Sequence, residues 1–237
     1  METEHANPFA HNDASSRAVD AVVFDLDGTL LDTLPDLVVL TNAVLRECDF
    51  PERTSDEILS FVGNGVRALM YQAVPDDSDE IAVEEAMQRW KEQYPYYGHK
   101  LTEPYPGIPE ILDELKGRGV KLGVLSNKFD AGVQDVVGAY LPDLFGAIHG
   151  ECAEIPRKPD PAGLLRTIRE LGTVPERTIY VGDSPGDIAA SRNAGVLAVG
   201  VSWGYHDAEH LHAANPDWII SDPYALLDLV QQTAMLS

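Results

Sequence analysis

Asp25 and Asp27 close the run Val22-Val23-Phe24-Asp25-Leu26-Asp27-Gly28-Thr29. A short apolar run ended by a glycine reads as a buried β-strand with a turn behind it. Two residues apart on an extended chain, the carboxylates share a face. Like charges held that close need a compensating cation, and hard oxygen ligands suit Mg²⁺. Gly28 lets the backbone turn tightly and offer amide hydrogens to an anion. A strand end, a carboxylate pair, a divalent cation and an anion nest together describe phosphoryl-transfer chemistry.

Three later segments have the same character. Gly123-Val124-Leu125-Ser126-Asn127 is an apolar strand ending in a hydroxyl. Arg157-Lys158-Pro159-Asp160-Pro161 sets a lysine just before a helix start, where proline is at home. Ile179-Tyr180-Val181-Gly182-Asp183 is another apolar strand with a terminal carboxylate, and Asp187 follows it. Each segment has an ordinary explanation when taken alone. Ser126 or Asp183 could cap a helix, Asp187 could face a helix dipole, and Lys158 could be a solvated cation. Four such segments in one chain, three of them on strand ends, argue jointly for a site.

The elements that must assemble these segments follow from periodicity. After the strand at 20–25, Leu37, Leu40, Val44 and Leu45 mark an amphipathic helix over 35–48. Helices follow at 55–62, 66–73 and 77–94, the last with Ile81, Met87 and Trp90 as core candidates. Residues 34–104 hold no strand fit for a parallel sheet, so they read as an all-helical cap inserted into an α/β core formed by 19–33 and 105–237. Beyond Pro106, helices alternate with strands at 120–125, 145–149, 178–182, 196–201 and 217–220. That alternation predicts a doubly wound, Rossmann-like parallel sheet in the order 3-2-1-4-5-6. Its first and fourth strands meet at the topological switch point, which brings Asp25 to Asp183. Residues 1–18 are polar and read as a flexible tail.

The run Asp25-Leu26-Asp27-Gly28-Thr29 resembles the first motif of the haloacid-dehalogenase-like (HAD) superfamily, and the three later segments resemble its remaining motifs in order. The resemblance spans roughly residues 20–222. It implies Asp25 as a nucleophile that forms an aspartyl-phosphate, and Asp27 as general acid and then base. It implies Mg²⁺ on Asp25, Asp183 and the backbone carbonyl of Asp27, with Asp187 orienting a metal-bound water or Lys158. Gly28, Ser126, Asn127 and Lys158 would hold the phosphate. Phe61 to Arg67, Tyr105-Pro106-Gly107, Leu125 to Lys128 and Val201 to Tyr205 resemble the phosphoglycolate-phosphatase-like branch. Gly150-Glu151-Cys152 departs from that branch, which more often shows Gly-Gly-Asp there. In the cap, Gly63-Asn64-Gly65 would offer amides at a helix start, and Arg67 a cation for a substrate carboxylate. An ordinary loop with a solvated arginine is the competing reading of those residues.

Lys and Arg total 17 against 39 Asp and Glu, a net charge of −22. This disfavours nucleic-acid or anionic-membrane surfaces. It also repels a phosphorylated metabolite, so the site must reverse its local potential with Mg²⁺, Lys158 and oriented amides. Cys48 and Cys152 follow no metal-ligand spacing and fit a reducing, cytoplasmic setting. No run approaches the ~20 apolar residues of a membrane span. Monomer and homodimer both stay open. Two other functions also stay open: a phosphosugar mutase of the beta-phosphoglucomutase kind, with the same aspartates, and a catalytically inactive regulatory relative. A dehalogenase fits less well, because that branch lacks the second acid that Asp27 supplies.

Overall fold

The computed structural model describes residues 18–97 and 99–235, so all but Ala18 of the expected tail lies outside the described residues. The chain opens with β1 (Ala21–Phe24) and β2 (Leu31–Asp32), then builds α1 (Leu34–Glu47), α2 (Ser55–Phe61), α3 (Gly65–Ala73) and α4 (Glu80–Tyr97) before β3 (Glu103–Pro104). Helices and strands then alternate: α5 (Ile108–Gly117), β4 (Lys121–Phe129), α6 (Asp130–Tyr140), β5 (Ala147–Glu151), α7 (Ala162–Glu170), β6 (Thr178–Gly182), α8 (Pro185–Ala194), β7 (Leu197–Val201), α9 (Ala208–Ala214), β8 (Trp218–Ile220) and α10 (Ala225–Met235).

Six strands form one sheet in the order β5-β4-β1-β6-β7-β8, which is the doubly wound order expected. β1 is buried along its whole length, as a central parallel strand covered on both faces must be. It pairs with β4 on one side, Val22 opposite Leu122, and with β6 on the other, Val22 opposite Ile179. The strand ends carrying Asp25, Ser126 and Asp183 are thereby neighbours. β4 runs on to Phe129 past an irregularity after Leu125, further than its apolar run suggested. One face of the sheet packs Val22, Phe24, Ile111, Leu115 and Val181. The other packs Val23, Leu125, Leu164, Ile168 and Tyr180.

The helices α1 to α4 enclose an apolar core of their own, built on Leu40, Val44, Ile58, Met70, Trp90 and Tyr94. A capping box between Thr54 and Glu57 starts α2. Ile81, expected in this core, is 68% exposed. The buried stripe of α4 runs through Val83, Ala86, Met87, Trp90 and Tyr94, and Ile81 falls on another face. The helix also continues past Pro95, which forfeits one backbone hydrogen bond rather than ending it. β2 and β3 pair antiparallel where the chain enters and leaves this helical block. The buried Asp36 carboxylate of α1 fastens the returning strand. It accepts hydrogen bonds from the Lys100 and Leu101 amides at 2.9 and 2.8 Å, and from the Thr102 hydroxyl at 2.8 Å. Among the described residues, no helix is long and apolar enough to cross a membrane.

Candidate active site

The β1 strand closes at Phe24, so the alternation that would set both carboxylates on one face does not reach Asp27. The two side chains diverge. Asp25 is buried, and its Oδ1 lies 2.7 Å from Lys158 Nζ. That contact is an ion pair without hydrogen-bond alignment, which leaves Oδ1 a buried oxygen with no hydrogen bond. Asp27 turns elsewhere: its Oδ1 accepts the Thr33 hydroxyl at 2.6 Å and Lys128 Nζ at 3.2 Å. The compensating charge for Asp27 is therefore a lysine.

Asp183 ends β6 and accepts hydrogen bonds from the Tyr205 amide at 2.7 Å and the Thr29 hydroxyl at 3.4 Å. Gly28, at φ +83°, closes against it: a Cβ there would stand 2.5 Å from Asp183 Oδ2. That contact and the positive φ together require glycine. Asp187 sits in the first turn of α8. Its Oδ2 accepts the Ser184 amide and hydroxyl, completing a capping box. Its Oδ1 accepts Lys158 Nζ at 2.7 Å and the Tyr180 hydroxyl at 3.1 Å. Asp187 is thus both a helix cap and the anchor that aims Lys158.

Asp25, Asp183 and Asp187 each place an oxygen within 4.8 Å of the others, all three buried. Burial, with Asp187 and Asp183 adding to it, pushes the Asp25 carboxyl up to about 8 against the pull of Lys158. Burial works against the Lys158 ammonium as well, but Asp187 and Asp25 override it and hold it well above its usual value. A clustered carboxylate set with an orphaned buried oxygen suits a hard divalent cation, and Mg²⁺ fits these donors. Asp187 takes four donors, including the Lys158 ammonium, whereas Asp25 has no hydrogen bond on Oδ1 and Asp183 takes one donor on each oxygen, so Asp25 and Asp183 are the side chains with most room for it.

Ser126 is buried at the β4 irregularity, and its hydroxyl accepts the Lys128 amide at 3.2 Å. The Asn127 side chain is a tie between segments: its Oδ1 accepts the Lys158 amide at 2.7 Å, and its Nδ2 donates to the Gly63 carbonyl at 2.9 Å. Gly63 and Gly65 line the same cavity. Gly65 has φ +78°, a conformation that favours glycine, and a Cβ there would push the Glu151 carboxylate aside. Asn64 gives its carbonyl to Arg157, which pairs with Glu151 at 2.9 Å. The departing residue Glu151 therefore sits under the helical loop. Arg67 does not join the site. It pairs with Glu80 and faces a separate surface hollow with Tyr71 and Arg157, because the rotation of α3 turns it outward.

The cavity encloses about 70 Å³ between the sheet and the helical block. That is room for roughly five water-sized spheres. Asp25, Ser126, Lys158 and Asp183 line one side, and Leu37, Val62, Val66, Leu69 and Trp90 line the other. Four polar lining residues had no role assigned from sequence: Lys128, Ser184, Tyr205 and His206. Lys128 is buried, with its ammonium 5.4 Å from the Tyr94 ring centre. The Tyr205 hydroxyl accepts the Thr33 and Leu34 amides at 2.7 and 2.8 Å and donates to Asp32 at 3.0 Å. His206 Nδ1 lies 3.7 Å from Asp183, which raises its imidazole above the ordinary value. The segments holding Lys128 and Tyr205 were visible as motifs, but their partners come from distant helices and turns.

Residues 22–201 match the family model described as haloacid dehalogenase-like hydrolase. The chain belongs to that family, in its phosphoglycolate-phosphatase-like branch. It is 33% identical over 228 residues to a phosphoglycolate phosphatase of Vibrio vulnificus, covering 93% of this chain and all of that one. A phosphoglycolate phosphatase of Aquifex aeolicus is 34% identical over 210 residues, covering 88% of this chain and 95% of that one. A crystal structure from Haemophilus somnus, described as a predicted phosphoglycolate phosphatase, superposes with a TM-score of 0.83 at 30% identity. It covers 89% of this chain and 97% of that one.

Proposed function

We propose that this chain is a phosphate monoester hydrolase that works through an aspartyl-phosphate on Asp25, with 2-phosphoglycolate as its leading substrate. The observation that carries the reading is the divergence of the two aspartates. Asp25 faces Lys158 and the carboxylate cluster, while Asp27 faces Lys128 and the helical wall. Two carboxylates in separate environments can take separate roles.

In the first step an Asp25 oxygen attacks phosphorus and the ester P–O bond breaks, with Asp27 giving its proton to the leaving oxygen. In the second, water attacks the phosphorus, Asp27 takes its proton, and the Asp25–phosphorus bond breaks to release inorganic phosphate. Lys158, aimed by Asp187, and the Ser126 hydroxyl stand where they can hold phosphate oxygens. Mg²⁺ on Asp25, Asp183 and the Asp27 carbonyl would neutralise charge on the phosphoryl group. The relatives named phosphoglycolate phosphatases support the substrate.

The test is turnover of a panel of phosphorylated acids, sugars and nucleotides, with stereochemistry read at a chiral phosphate. Retention of configuration and 2-phosphoglycolate at the head of the panel are expected. Inversion would remove the covalent step. Conversion of glucose 1-phosphate to the 6-phosphate without phosphate release would move the chain to the mutases.

A further inference from the structure

We infer that Lys128 is the specificity-determining residue of this site, and that it takes a carboxylate on the carbon next to the ester oxygen. The inference rests on the hydrolase reading above and deepens it to a substrate class: short phosphorylated α-hydroxy acids.

Two lysines line the cavity, and they differ in what is left for a ligand. Lys158 lies between two carboxylates, 2.7 Å from Asp25 and 2.7 Å from Asp187. Lys128 has one carboxylate, Asp27 at 3.2 Å, and the face of Tyr94. An ammonium carries three donors, so Lys128 retains capacity for another oxygen acceptor. The helical wall opposite it consists of Leu37, Val62, Val66, Leu69 and Trp90 with Gly63 and Gly65, none of which carries a charged side chain. A leaving group entering that space meets Lys128 against a mostly apolar wall, where a charge pair is discriminating, while His206, also in the lining, sits against Asp183.

Distance limits the ligand further. Asp27 must reach the ester oxygen to protonate it, and the Lys128 ammonium is 3.2 Å from Asp27. An anion held by Lys128 is therefore one or two carbon atoms from the ester oxygen. A terminal phosphate or carboxylate several carbons away would overshoot Lys128. Arg67, paired with Glu80 outside the cavity, does not compete for this role.

The experiment compares 2-phosphoglycolate with ethyl phosphate, which has a similar size and an alkoxide leaving group but no carboxylate. Wild type should prefer 2-phosphoglycolate in kcat/KM. Lys128→Met should cut that preference on the order of 10²-fold. It should also abolish competitive inhibition by glycolate, a readout that loss of support for Asp27 alone would not give. Thermal unfolding checks that the variant folds. Lys128→Gln, which keeps a polar head beside Asp27, is read by the same ratio if Lys128→Met does not fold. Equal losses on both esters, with glycolate inhibition retained, would overturn the inference. So would a wild type that turns over an aryl phosphate without preferring the carboxylate ester, although the hydrolase reading would then stand. A wild type inert toward all three esters would instead sink the hydrolase reading.

Discussion

On the sheet side of the cavity Lys158, Asp183 and Asp187 each have more than one partner. Asp187 alone takes four donors, and they hold it as a helix cap and as the anchor of Lys158 at once. On the helical side the wall is apolar, and Lys128 is the cation set against it. The sheet side is organised before a ligand arrives, which is what stabilisation of transition-state charge requires. On the reading proposed above, the helical side would select through Lys128. Chemistry and selectivity would then reside on opposite walls, and substitutions on each should leave different kinetic signatures.

The largest effect should come from the sheet wall. Asp25→Asn should lower turnover of every ester by at least about 10⁴-fold, because an amide is a poor nucleophile. Its melting temperature should not fall, since the change removes a buried carboxylate. A variant that retained a tenth of wild-type activity would remove Asp25 from the covalent step.

Metal removal is next. Activity should vanish in EDTA and return with Mg²⁺ but not with Ca²⁺, whose larger and looser shell suits this geometry less well. The buried acid adds a pH signature. Asp25 is raised from the ordinary 3.8 to about 8, so between those values the folded state holds more protons than the unfolded. Stability of the metal-free protein should therefore fall as pH rises from about 4 to about 8. The thermal shift produced by Mg²⁺ should be larger at about pH 8 than at about pH 5. Equal shifts at both pH values would separate the cation from Asp25.

Asp27 sits at the junction of the walls. Asp27→Asn should cost about 10²–10⁴-fold on 2-phosphoglycolate. An activated aryl phosphate needs less protonation and should lose less. Uniform loss would make Asp27 a structural partner of Thr33 and Lys128. The smallest effect is expected at Arg67. Its partner Glu80 is exposed, and such pairs are worth about 0–1 kcal/mol. Arg67→Ala should leave KM for 2-phosphoglycolate within about threefold. A large rise would return Arg67 to the cavity.

Much of the sheet wall was legible because its residues end apolar strands. Strand order follows from the alternation of elements, and the switch point then brings Asp25 to Asp183. The helical side was less legible. Lys128 reads in sequence as a polar residue after a strand, and its neighbours Asp27 and Tyr94 on α4 are distant in the chain. In sequence Arg67 stays open between a ligand, because it follows a glycine-rich helix start, and a solvated arginine, and the structure places it outside the cavity. Which way it faces depends on the rotation of α3 and on Glu80, and one sequence does not encode either locally. Ile81 failed for a similar reason, since a first-turn residue of α4 lies off the buried stripe.

The Asp36 clasp has a mechanical consequence. The helical block is joined to the sheet by two chain crossings, paired at β2 and β3. Asp36 belongs to the outgoing crossing, and its carboxylate grips residues 100–102 of the returning one. Two separate tethers would let the block slide, twist and tilt. Clasped together, they form a single connection, so a swing of the block would pivot there. Such a swing should change the spacing between the apolar wall on α4 and Lys128 on β4.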